Sequence, residues 1–474
     1  MSTAEDTAEG FLLPPRPVTS LEEYRSRGGG EGLDRARRLG PDQTIQEVHL
    51  ARLRGRGGAG FPTGTKWRSI RSAPGDVKYL AVNAAEGEPG TFKDRALMRA
   101  NPYQLLEGVI IAALAVGARE AFLAVKHSFS PEIAALRRAL EEMGSAGWLD
   151  VPVRVVEGPD EYLFGEEKAL LEVIEGNAPL PRQLPPYQYG LFATGVQLGW
   201  AAHGAEPGTP PPPGGSVNPT LVNNVETLSN VPHILARGAE WFRGFGTEGS
   251  PGIIVCTVVG DVVRDGVGEV EMGVTLRDAI DRIGGGVPAG RTIKAVFSGV
   301  SNPVLVDADL DTPLTYEDFA SAGSGLGAAG FIVYDDTTCV VELALLLSRF
   351  LYIESCGQCP ACKLGTQAIT EALVNLQEGQ GSELDIEIIG ARLRNVTDGN
   401  RCALPIEEQN VVSSLLRHFA EEFVEHLEGR GCTSERELVV PKLVDIVDGR
   451  AVYDEHYRFK LPDWTYADGT PPEA

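Results

Sequence analysis

Basic residues are scarce in this chain, and it has no apolar run long enough to cross a membrane. Its 474 residues contain 42 Lys and Arg against 66 Asp and Glu, giving a formal net charge of −24. A surface of that sign repels nucleic acid and anionic lipid, so neither is expected as a main partner. The longest apolar stretches, Gly108–Ala118 and Val340–Leu347, are too short to span a bilayer.

The N-terminal residues 1–15 include acidic residues and no apolar core, which is unlike a signal or transit peptide. We therefore expect a cytoplasmic protein that is not inserted in a membrane and meets one only peripherally, through a complex.

Cysteine is also sparse. The chain has 7 cysteines, an odd number, and three of them lie within seven residues. That pattern is unlike a secreted disulfide framework and indicates metal ligands in a reducing compartment.

The most specific motif is the cysteine triplet Cys356, Cys359 and Cys362. A C-x2-C-x2-C loop supplies three of the four thiolates that a cubane iron–sulfur cluster needs. The position of the fourth ferredoxin cysteine is Thr366, so we expect Cys402, in a loop between two predicted helices, as the fourth ligand. The alternatives are plain structural thiols and a zinc site, although zinc sites usually use two separated pairs. Cys432 is the reserve ligand, and Cys256 and Cys339 are interpreted as small buried side chains.

Strands and helices alternate over the first half of the chain. Predicted strands at Val77–Asn83, Ala121–Val125 and Val151–Val156 are separated by helical segments. This order predicts a parallel, doubly wound sheet. The pattern then changes to a small α+β unit from Gly252 to about Phe331. Helices are predicted near 338–353, 363–377, 383–396 and 405–427.

A glycine loop, Gly55–Gly64, follows a predicted helix and not a strand, so it is no standard dinucleotide fingerprint. Such a loop still lets backbone N–H groups approach a phosphate or a flavin. The stretch 51–75 adds basic residues and no acid, which favours an anionic ligand over a merely solvated face. These residues are Arg52, Arg54, Arg56, Lys66, Arg68 and Arg71. Glu166 and Glu167 open a helix, where they cap it or meet a ligand, and Asn223 and Asn224 precede another.

Together these segments resemble the NADH-oxidising flavoprotein subunit of respiratory complex I and the diaphorase subunits of NAD-linked hydrogenases and formate dehydrogenases. The resemblance runs in family order over about residues 18–430. The matching stretches are LRGRGGAGFPTGTKW, NAAEGEPGTFKDR, EYLFGEEKALLEVIEG, PTLVNNVETLSNV, DDTTCVVE, ESCGQCPACKLGT and RCAL.

The resemblance implies an α/β fold with a Rossmann-like FMN domain, a small ubiquitin-like β-grasp (SLBB) domain and a C-terminal helical bundle carrying a 4Fe–4S cluster. It also implies that NADH reduces FMN and that electrons leave singly through the cluster to a thioredoxin-like 2Fe–2S subunit and further redox subunits. The corresponding segments are an N-terminal arm with helices at 1–50, the FMN/NADH domain at 51–248 with a Pro/Gly-rich insertion near 195–217, the β-grasp domain at 249–334, the cluster domain at 335–432 and a tail at 433–474.

The resemblance further implies roles for individual residues. FMN and the cofactor phosphates would be held by Gly55, Gly57, Gly58, Gly60 and Lys66, and the flavin pocket completed by Asn83, Tyr162, Gly165, Glu166, Val222, Asn223, Asn224 and Thr227. The nucleotide would face Phe61, Glu86, Glu88, Glu167 and Tyr187. No general acid or base is expected, because hydride transfer depends on positioning.

The chain departs from the family pattern at several places. Ala85 replaces a usual Asp, Ser69 a usual Phe, and Phe164 and Lys168 a usual Cys and Thr. These changes and the insertion keep an alternative open: a paralogue that does not oxidise NADH and serves as an iron–sulfur electron-transfer or assembly module. A flavoprotein with another electron donor lies between the two.

Overall fold

A computed structural model describes residues 11–75, 77–194, 216–430 and 436–467. The predicted insertion near 195–217 falls almost entirely outside these ranges, and so does the reserve ligand Cys432. In the part of the chain that is described, no helix is long and apolar enough to cross a membrane.

The first half of the chain forms a four-stranded parallel sheet with helices on both faces. The strands are β1 (Tyr79–Ala84), β2 (Glu120–Lys126), β3 (Val153–Gly158) and β4 (Thr220–Asn224), in the order β3-β2-β1-β4. The helices are α1 (Leu21–Ser26), α2 (Glu31–Leu39), α3 (Pro41–Leu50), α4 (Thr63–Ser72), α5 (Lys93–Ala100), α6 (Pro102–Val116), α7 (Ser130–Ser145), α8 (Glu167–Ile174), α9 (Val225–Arg237) and α10 (Ala239–Phe242). The predicted α/β class with a parallel sheet is confirmed.

Helix α6 lies at the centre of the main core because nearly all of its residues are apolar and buried. Its Gly108 allows close packing on α9, since a Cβ there would lie 2.0 Å from the carbonyl oxygen of Leu228. Helix α9 begins at Val225, directly after Asn223 and Asn224. These two residues end the buried strand β4, and Asn224 has the extended backbone of an N-cap.

A second sheet follows, in the order β6-β5-β8-β7. It contains β5 (Ile253–Gly260), β6 (Gly266–Glu271), β7 (Ile293–Ser298) and β8 (Gly330–Asp335), with the short helices α11 (Leu276–Ala279) and α12 (Tyr316–Ser321). The central pair β5 and β8 is parallel, and the two outer pairs are antiparallel. This sheet has a hydrophobic core of its own.

Five helices form most of the last part of the chain: α13 (Val340–Glu354), α14 (Pro360–Gln377), α15 (Glu383–Leu393), α16 (Leu404–His418) and α17 (Ala420–Leu427). The single helix predicted over 405–427 is two helices, because Phe419 leaves the helical region at φ −127° and ψ 32°. The tail contains a hairpin that the sequence did not predict, β9 (Leu443–Val447) with β10 (Arg450–Tyr453). Asp448 and Gly449 turn it with positive φ angles of 49° and 73°.

Candidate cofactor site

A cavity of about 400 Å³ opens at the carboxyl edge of the parallel sheet, the usual ligand site of an open α/β fold. The ends of β1 and β4 and the turn after β3 form one wall, and loops of the second sheet and the start of α16 form the other. The lining residues are Gly57, Gly58, Ala59, Asn83, Ala85, Glu86, Gly87, Glu88, Thr91, Asp94, Tyr162, Leu163, Gly165, Glu166, Asn224, Ser301, Asn302, Gly327, Ala328, Cys402, Ala403, Leu404 and Glu407.

The glycine loop is held against the cavity from two sides. The Tyr316 hydroxyl donates to the Gly55 carbonyl at 2.7 Å. A Cβ on Gly60 would lie only 2.5 Å from carbon atoms of the Tyr316 ring, so the ring packs directly on this glycine. The backbone N–H of Arg56 donates to Thr227 Oγ1 at 2.8 Å. Gly58 has φ +134° and open space beside it, so a ligand can approach its backbone. The predicted residues Gly55, Gly60 and Thr227 thus hold the loop, and Gly57 and Gly58 line the cavity.

None of the six basic residues near this loop lines the cavity. The fully buried Arg56 donates to the carbonyls of Pro251 and Ile253 at 3.1 and 3.0 Å. The other arginines have protein contacts on the outside of the loop. Arg52 pairs with Glu248, Arg54 with Glu317, Arg71 with Asp42, and Arg68 donates to Gln46. Lys66 pairs with Glu167 at 3.3 Å.

A buried polar network supports the floor beneath the ends of β1 and β4. Asn83 donates to the Gly165 carbonyl at 2.7 Å, and Asn224 donates to Asp94 at 2.6 Å while capping α9. Lys93 contacts Asp94 and Glu226 at 2.7 and 3.0 Å. Burial alone would lower the pKa of Lys93, but Asp94, Glu226 and Glu86 raise it overall, so this lysine stays charged. Because these groups satisfy one another, the floor is rigid before any ligand binds.

Two of the predicted nucleotide-facing or flavin-facing carboxylates are also helix caps. Glu86 accepts from the Asp94 N–H at 3.0 Å and pairs with Arg95 at 3.4 Å, at the start of α5. Glu166 accepts the N–H groups of Lys168 and Ala169, both at 2.9 Å, at the start of α8. Both residues line the cavity, and burial raises the pKa of each carboxyl. The capping interpretation of Glu166 therefore holds alongside its place in the cavity wall.

Other predicted residues, Glu167 among them, lie outside the cavity lining. Phe61 and Tyr187 are exposed aromatic side chains, 53% and 51% accessible. Val222 is buried within β4, and Asn223 accepts a hydrogen bond from Trp67 Nε1 at 2.7 Å.

Several residues that line the cavity were not predicted from the sequence. Ser301, Asn302, Gly327 and Ala328 come from the second sheet, whose place against the first is set by tertiary packing and has no local signal.

Tyr162 lies between two carboxyl groups inside the cavity. Its hydroxyl is 2.6 Å from Glu88 Oε2 and 3.1 Å from Glu407 Oε2. Burial raises the pKa of both carboxyls, that of Glu407 well above its usual range. Glu407 was not predicted, although its position one turn into the helix after Cys402 is a signal that could have indicated it.

The four predicted cluster ligands lie around one cavity that is much smaller than the first. It is lined by Leu163, Ser355, Cys356, Cys359, Cys362, Arg401, Cys402, Leu404 and Pro405. Helix α14 begins at Pro360 and not at Lys363 as predicted, so Cys362 lies in its first turn. Burial raises the pKa of the Cys356 and Cys402 thiols and that of Cys362 to about 12, which favours the protonated thiols. Metal binding would therefore release their protons.

The donor set fits an iron–sulfur cluster. Four sulfurs from a tight turn and a remote loop surround a common space, which suits thiolate ligation of a polynuclear centre. Within the described ranges, no His, Cys, Asp and Glu side chains are grouped tightly enough to hold a single metal ion. The N-terminus of α14 points its dipole at this space, which favours anionic thiolates. Cys256 is buried in β5, and Cys339 caps α13, away from the four.

The larger cavity fits a flavin nucleotide. A Cβ at Gly57 would lie 3.1 Å from Asn224 Cβ, and one at Gly165 would lie 3.2 Å from the Ala85 carbonyl oxygen, so glycines keep the walls open. Backbone groups, three asparagines and the apolar Leu163 and Leu404 offer mixed polar and apolar contacts of the kind a flavin ring uses.

An α/β domain with a glycine-cradled cavity, beside a four-cysteine site on helices, defines an oxidoreductase subunit that joins a flavin to an iron–sulfur cluster. Two family models match the chain in agreement with this. The Nuo51 FMN-binding domain matches residues 48–233, and the NADH-ubiquinone oxidoreductase-F iron-sulfur binding region matches residues 342–426.

Named relatives cover most of the chain. The F 2 subunit of NADH-quinone oxidoreductase in Rhizobium meliloti is 38% identical over 427 residues, 87% of this chain and 95% of that protein. NADP-reducing hydrogenase subunit HndC of Solidesulfovibrio fructosivorans is 32% identical over 89% of this chain and 83% of its own length. A chain of the crystal structure of NAD+-reducing [NiFe]-hydrogenase in the H2-reduced state superposes with a TM-score of 0.73 at 32% identity, covering 87% of this chain and 67% of that one.

The chain belongs to the family of NADH-quinone oxidoreductase F subunits. The predicted family, the oxidoreductase class, the FMN and 4Fe–4S cofactors and the NADH-oxidising electron-input role are thereby confirmed. The relatives are named as subunits of larger enzymes, so a place among other redox subunits is supported as well.

Proposed function

We propose that this chain takes electrons from NADH at the larger cavity and passes them singly through Cys402. One observation carries the proposal: Cys402, with Leu163 and Leu404, lines both the flavin-sized cavity and the cysteine cavity. A layer one residue thick, formed by these three residues, thus separates the two cofactor sites. The chemistry that the groups supply when bound is hydride acceptance by FMN and one-electron acceptance by a 4Fe–4S cluster.

The protein's own part is binding and orientation. Gly57 and Gly58 would receive the FMN phosphate or ring through backbone N–H groups, while Asn83 and Asn224 are fixed by hydrogen bonds at the cavity floor. This preorganisation would speed hydride transfer, because the reaction needs the nicotinamide and flavin rings held in contact at a fixed angle. Cys356, Cys359, Cys362 and Cys402 would hold the cluster.

The nucleotide would enter beside the exposed Phe61 and Tyr187, whose faces are available for stacking. Glu167, already paired with Lys66, would disfavour a phosphate on the adenosine ribose through charge repulsion. NADH is therefore the proposed donor in preference to NADPH.

The proposal extends to the domains and partners. The order and the mixed pairing of the second sheet support a β-grasp (SLBB) unit at 249–334, and the helices of 335–432 support a cluster-binding bundle. The remaining proposed segments are an arm at 1–50, the FMN/NADH domain at 51–248 and a tail at 433–474. A thioredoxin-like 2Fe–2S subunit is the proposed next electron carrier, because the chain's four cluster ligands account for one cluster and its electrons must leave.

The test is the absorbance of anaerobically purified protein during NADH addition. The proposal predicts rapid bleaching of the flavin band, followed by partial bleaching of the broader iron–sulfur absorbance. Flavin that ignores NADH but responds to dithionite would indicate another donor. Protein with a cluster but no flavin would indicate the electron-transfer or assembly module, which the replacement of the family's Asp by the fully buried Ala85 favours.

A further inference from the structure

The hydroxyl of Tyr162 joins two carboxyl groups in the wall of the larger cavity. It lies 2.6 Å from Glu88 Oε2 and 3.1 Å from Glu407 Oε2, and all three residues line the cavity. A phenol carries one hydrogen and can donate it to only one of two acceptors at a time. The second oxygen–oxygen contact therefore needs another hydrogen, which only a protonated carboxyl can supply.

The surrounding donors indicate which carboxyl carries that proton. Glu88 also accepts the Val300 N–H at 2.6 Å and is bonded by Ser301, so its negative charge is well supported. For Glu407 the Tyr162 hydroxyl is the one hydrogen-bonding group among the residues that the structure describes. The arrangement is thus a Glu407 acid donating to the Tyr162 oxygen, with Tyr162 donating to the Glu88 carboxylate.

The neighbouring charges act in the same direction. Glu166, from the start of α8, disfavours a second negative charge at Glu407, and Cys402 faces the same cavity from the loop before α16. Glu354, at the end of α13, accepts the Tyr162 N–H at 3.1 Å. Glu86 and Asp94 face the cavity from the β1–α5 segment, and no Lys or Arg is among its lining residues in the described chain. Adding a proton is therefore easier here than removing one.

We propose that Glu88, Tyr162 and Glu407 hold one shared proton and carry away the proton released when NADH is oxidised. This rests on the proposed function. The balance is NADH → NAD+ + H+ + 2 e−. The cluster would take the two electrons one at a time and pass each to a one-electron acceptor outside the chain, so one proton per NADH remains in the cavity and needs an acceptor.

The unit can move that proton without gaining net charge over a full cycle. A proton that arrives on the Glu88 carboxylate makes the unit neutral. Glu407 then releases its own proton to the cavity water, and the Tyr162 hydroxyl turns to donate to the new Glu407 carboxylate while it accepts from Glu88. One proton enters and one leaves, and the unit again carries a single negative charge. A shift of both hydrogens, from Glu88 to the Tyr162 oxygen and from Tyr162 to Glu407, then restores the resting arrangement.

The first experiment measures the resting proton by infrared spectroscopy of the purified holoprotein at neutral pH. Glu407→Gln keeps a hydrogen-bond donor for Tyr162 but has no acidic proton. The wild-type-minus-variant spectrum should contain the C=O stretch of a protonated carboxyl, shifted in D2O. A difference spectrum that contains only carboxylate bands would overturn the shared-proton arrangement.

Two controls fix the assignment of this band. Glu425→Gln changes an exposed carboxylate on α17 and should give carboxylate bands only. Glu408→Gln removes a second buried acid, whose pKa burial raises to about 8 and whose partner is Ser348, and it should leave the Glu407 band in place. Loss of that band in Glu408→Gln would show that the protonated carboxyl belongs to Glu408 and not to Glu407, which would refute the proposal.

The second experiment follows proton release by stopped flow with a pH indicator, during NADH oxidation by an excess of a one-electron acceptor. Flavin bleaching is recorded in the same mixture. Glu407→Gln should slow proton release about 10²-fold relative to the bleaching step, and Glu425→Gln should not. If Glu407→Gln releases protons at the wild-type rate and its flavin bleaches normally, the relay is refuted but the proposed function stands. If the wild-type flavin does not bleach with NADH, the proposed function is refuted. The infrared result would still decide the resting arrangement.

Discussion

Glu354→Gln should destabilise the chain strongly, because Glu354 joins three parts of the structure. It ends α13, just before the cysteine triplet. Its Oε1 accepts from Lys460 Nζ at 2.8 Å and from the Tyr457 hydroxyl at 3.0 Å, and its Oε2 accepts the Tyr162 N–H at 3.1 Å. Glu354 and Lys460 are 1% and 2% exposed, so solvent cannot compensate a lost partner.

The magnitude follows from the buried charge that would be left behind. Removing one member of a buried ion pair costs about 3–5 kcal/mol, chiefly because the other charge stays desolvated and unpaired. At a few degrees per kcal/mol for a domain of this size, the midpoint of thermal unfolding should fall by roughly 6–20 °C. The double variant Glu354→Gln/Lys460→Met removes both charges and should recover much of the loss.

Pulse proteolysis or chemical denaturation at constant cofactor loading would measure these differences, with Glu455→Gln, at an exposed residue of the tail, as a matched control.

The same ion pair determines how the stabilisation depends on pH. Burial alone would raise the pKa of Glu354, but Lys460, Lys442 and the hydrogen bonds lower it overall. A lowered folded pKa means that the stabilisation is present above the unfolded pKa and is lost as pH falls through the folded pKa. The gap between wild type and Glu354→Gln should therefore close on acidification.

The reasoning would be refuted by a single variant within about 1 kcal/mol of wild type, since exposed pairs are worth no more than that. A double variant no more stable than Glu354→Gln would also refute it, because the destabilisation would then not come from the unpaired lysine.

Three further predictions address the cofactor sites. Cys402→Ser should abolish the iron–sulfur absorbance and lower the iron content, while Cys256→Ala in β5 should retain both. Gly58→Ala should lower FMN affinity measured by flavin fluorescence, because φ +134° costs a Cβ-bearing residue about 1–3 kcal/mol; Gly290→Ala, at φ +86° with open space beside it, should leave FMN binding unchanged. Phe61→Ala and Tyr187→Ala should each raise KM for NADH by about 2–10-fold with little change in kcat, since each removes about 0.5–1.5 kcal/mol of stacking.

The sequence was most informative where spacing alone determines the chemistry. The cysteine triplet and Cys402 line one cavity, as the C-x2-C-x2-C loop and the remote thiol predict. Alternating strands and helices predicted the parallel sheet for a similar reason, because apolar periodicity is a local property. The strand β4 was harder to recognise, since its buried residues continue directly into α9 at Asn224.

Side-chain direction and long-range contacts were beyond such reasoning. Arg56 looked like a phosphate ligand beside a glycine loop, but it is buried against β5 carbonyls nearly two hundred residues away. Glu407 looked like an ordinary helix residue, and only the fold brings it to Tyr162 and Glu88. Lys168, where the family usually has Thr, donates to the Arg401 carbonyl beside Cys402, a contact between two segments that are distant in the chain.

The closing segment of the chain has a consequence for assembly. The Nζ of Lys363, next to Cys362, donates to the carbonyls of Tyr352, Ser355 and Pro462 at 3.0, 2.8 and 2.7 Å, and Trp464 Nε1 donates to the Ile353 carbonyl at 2.9 Å. These last residues leave the ribosome after every cysteine ligand has been made. We therefore expect iron and sulfide to reach the thiols before this segment packs beside them.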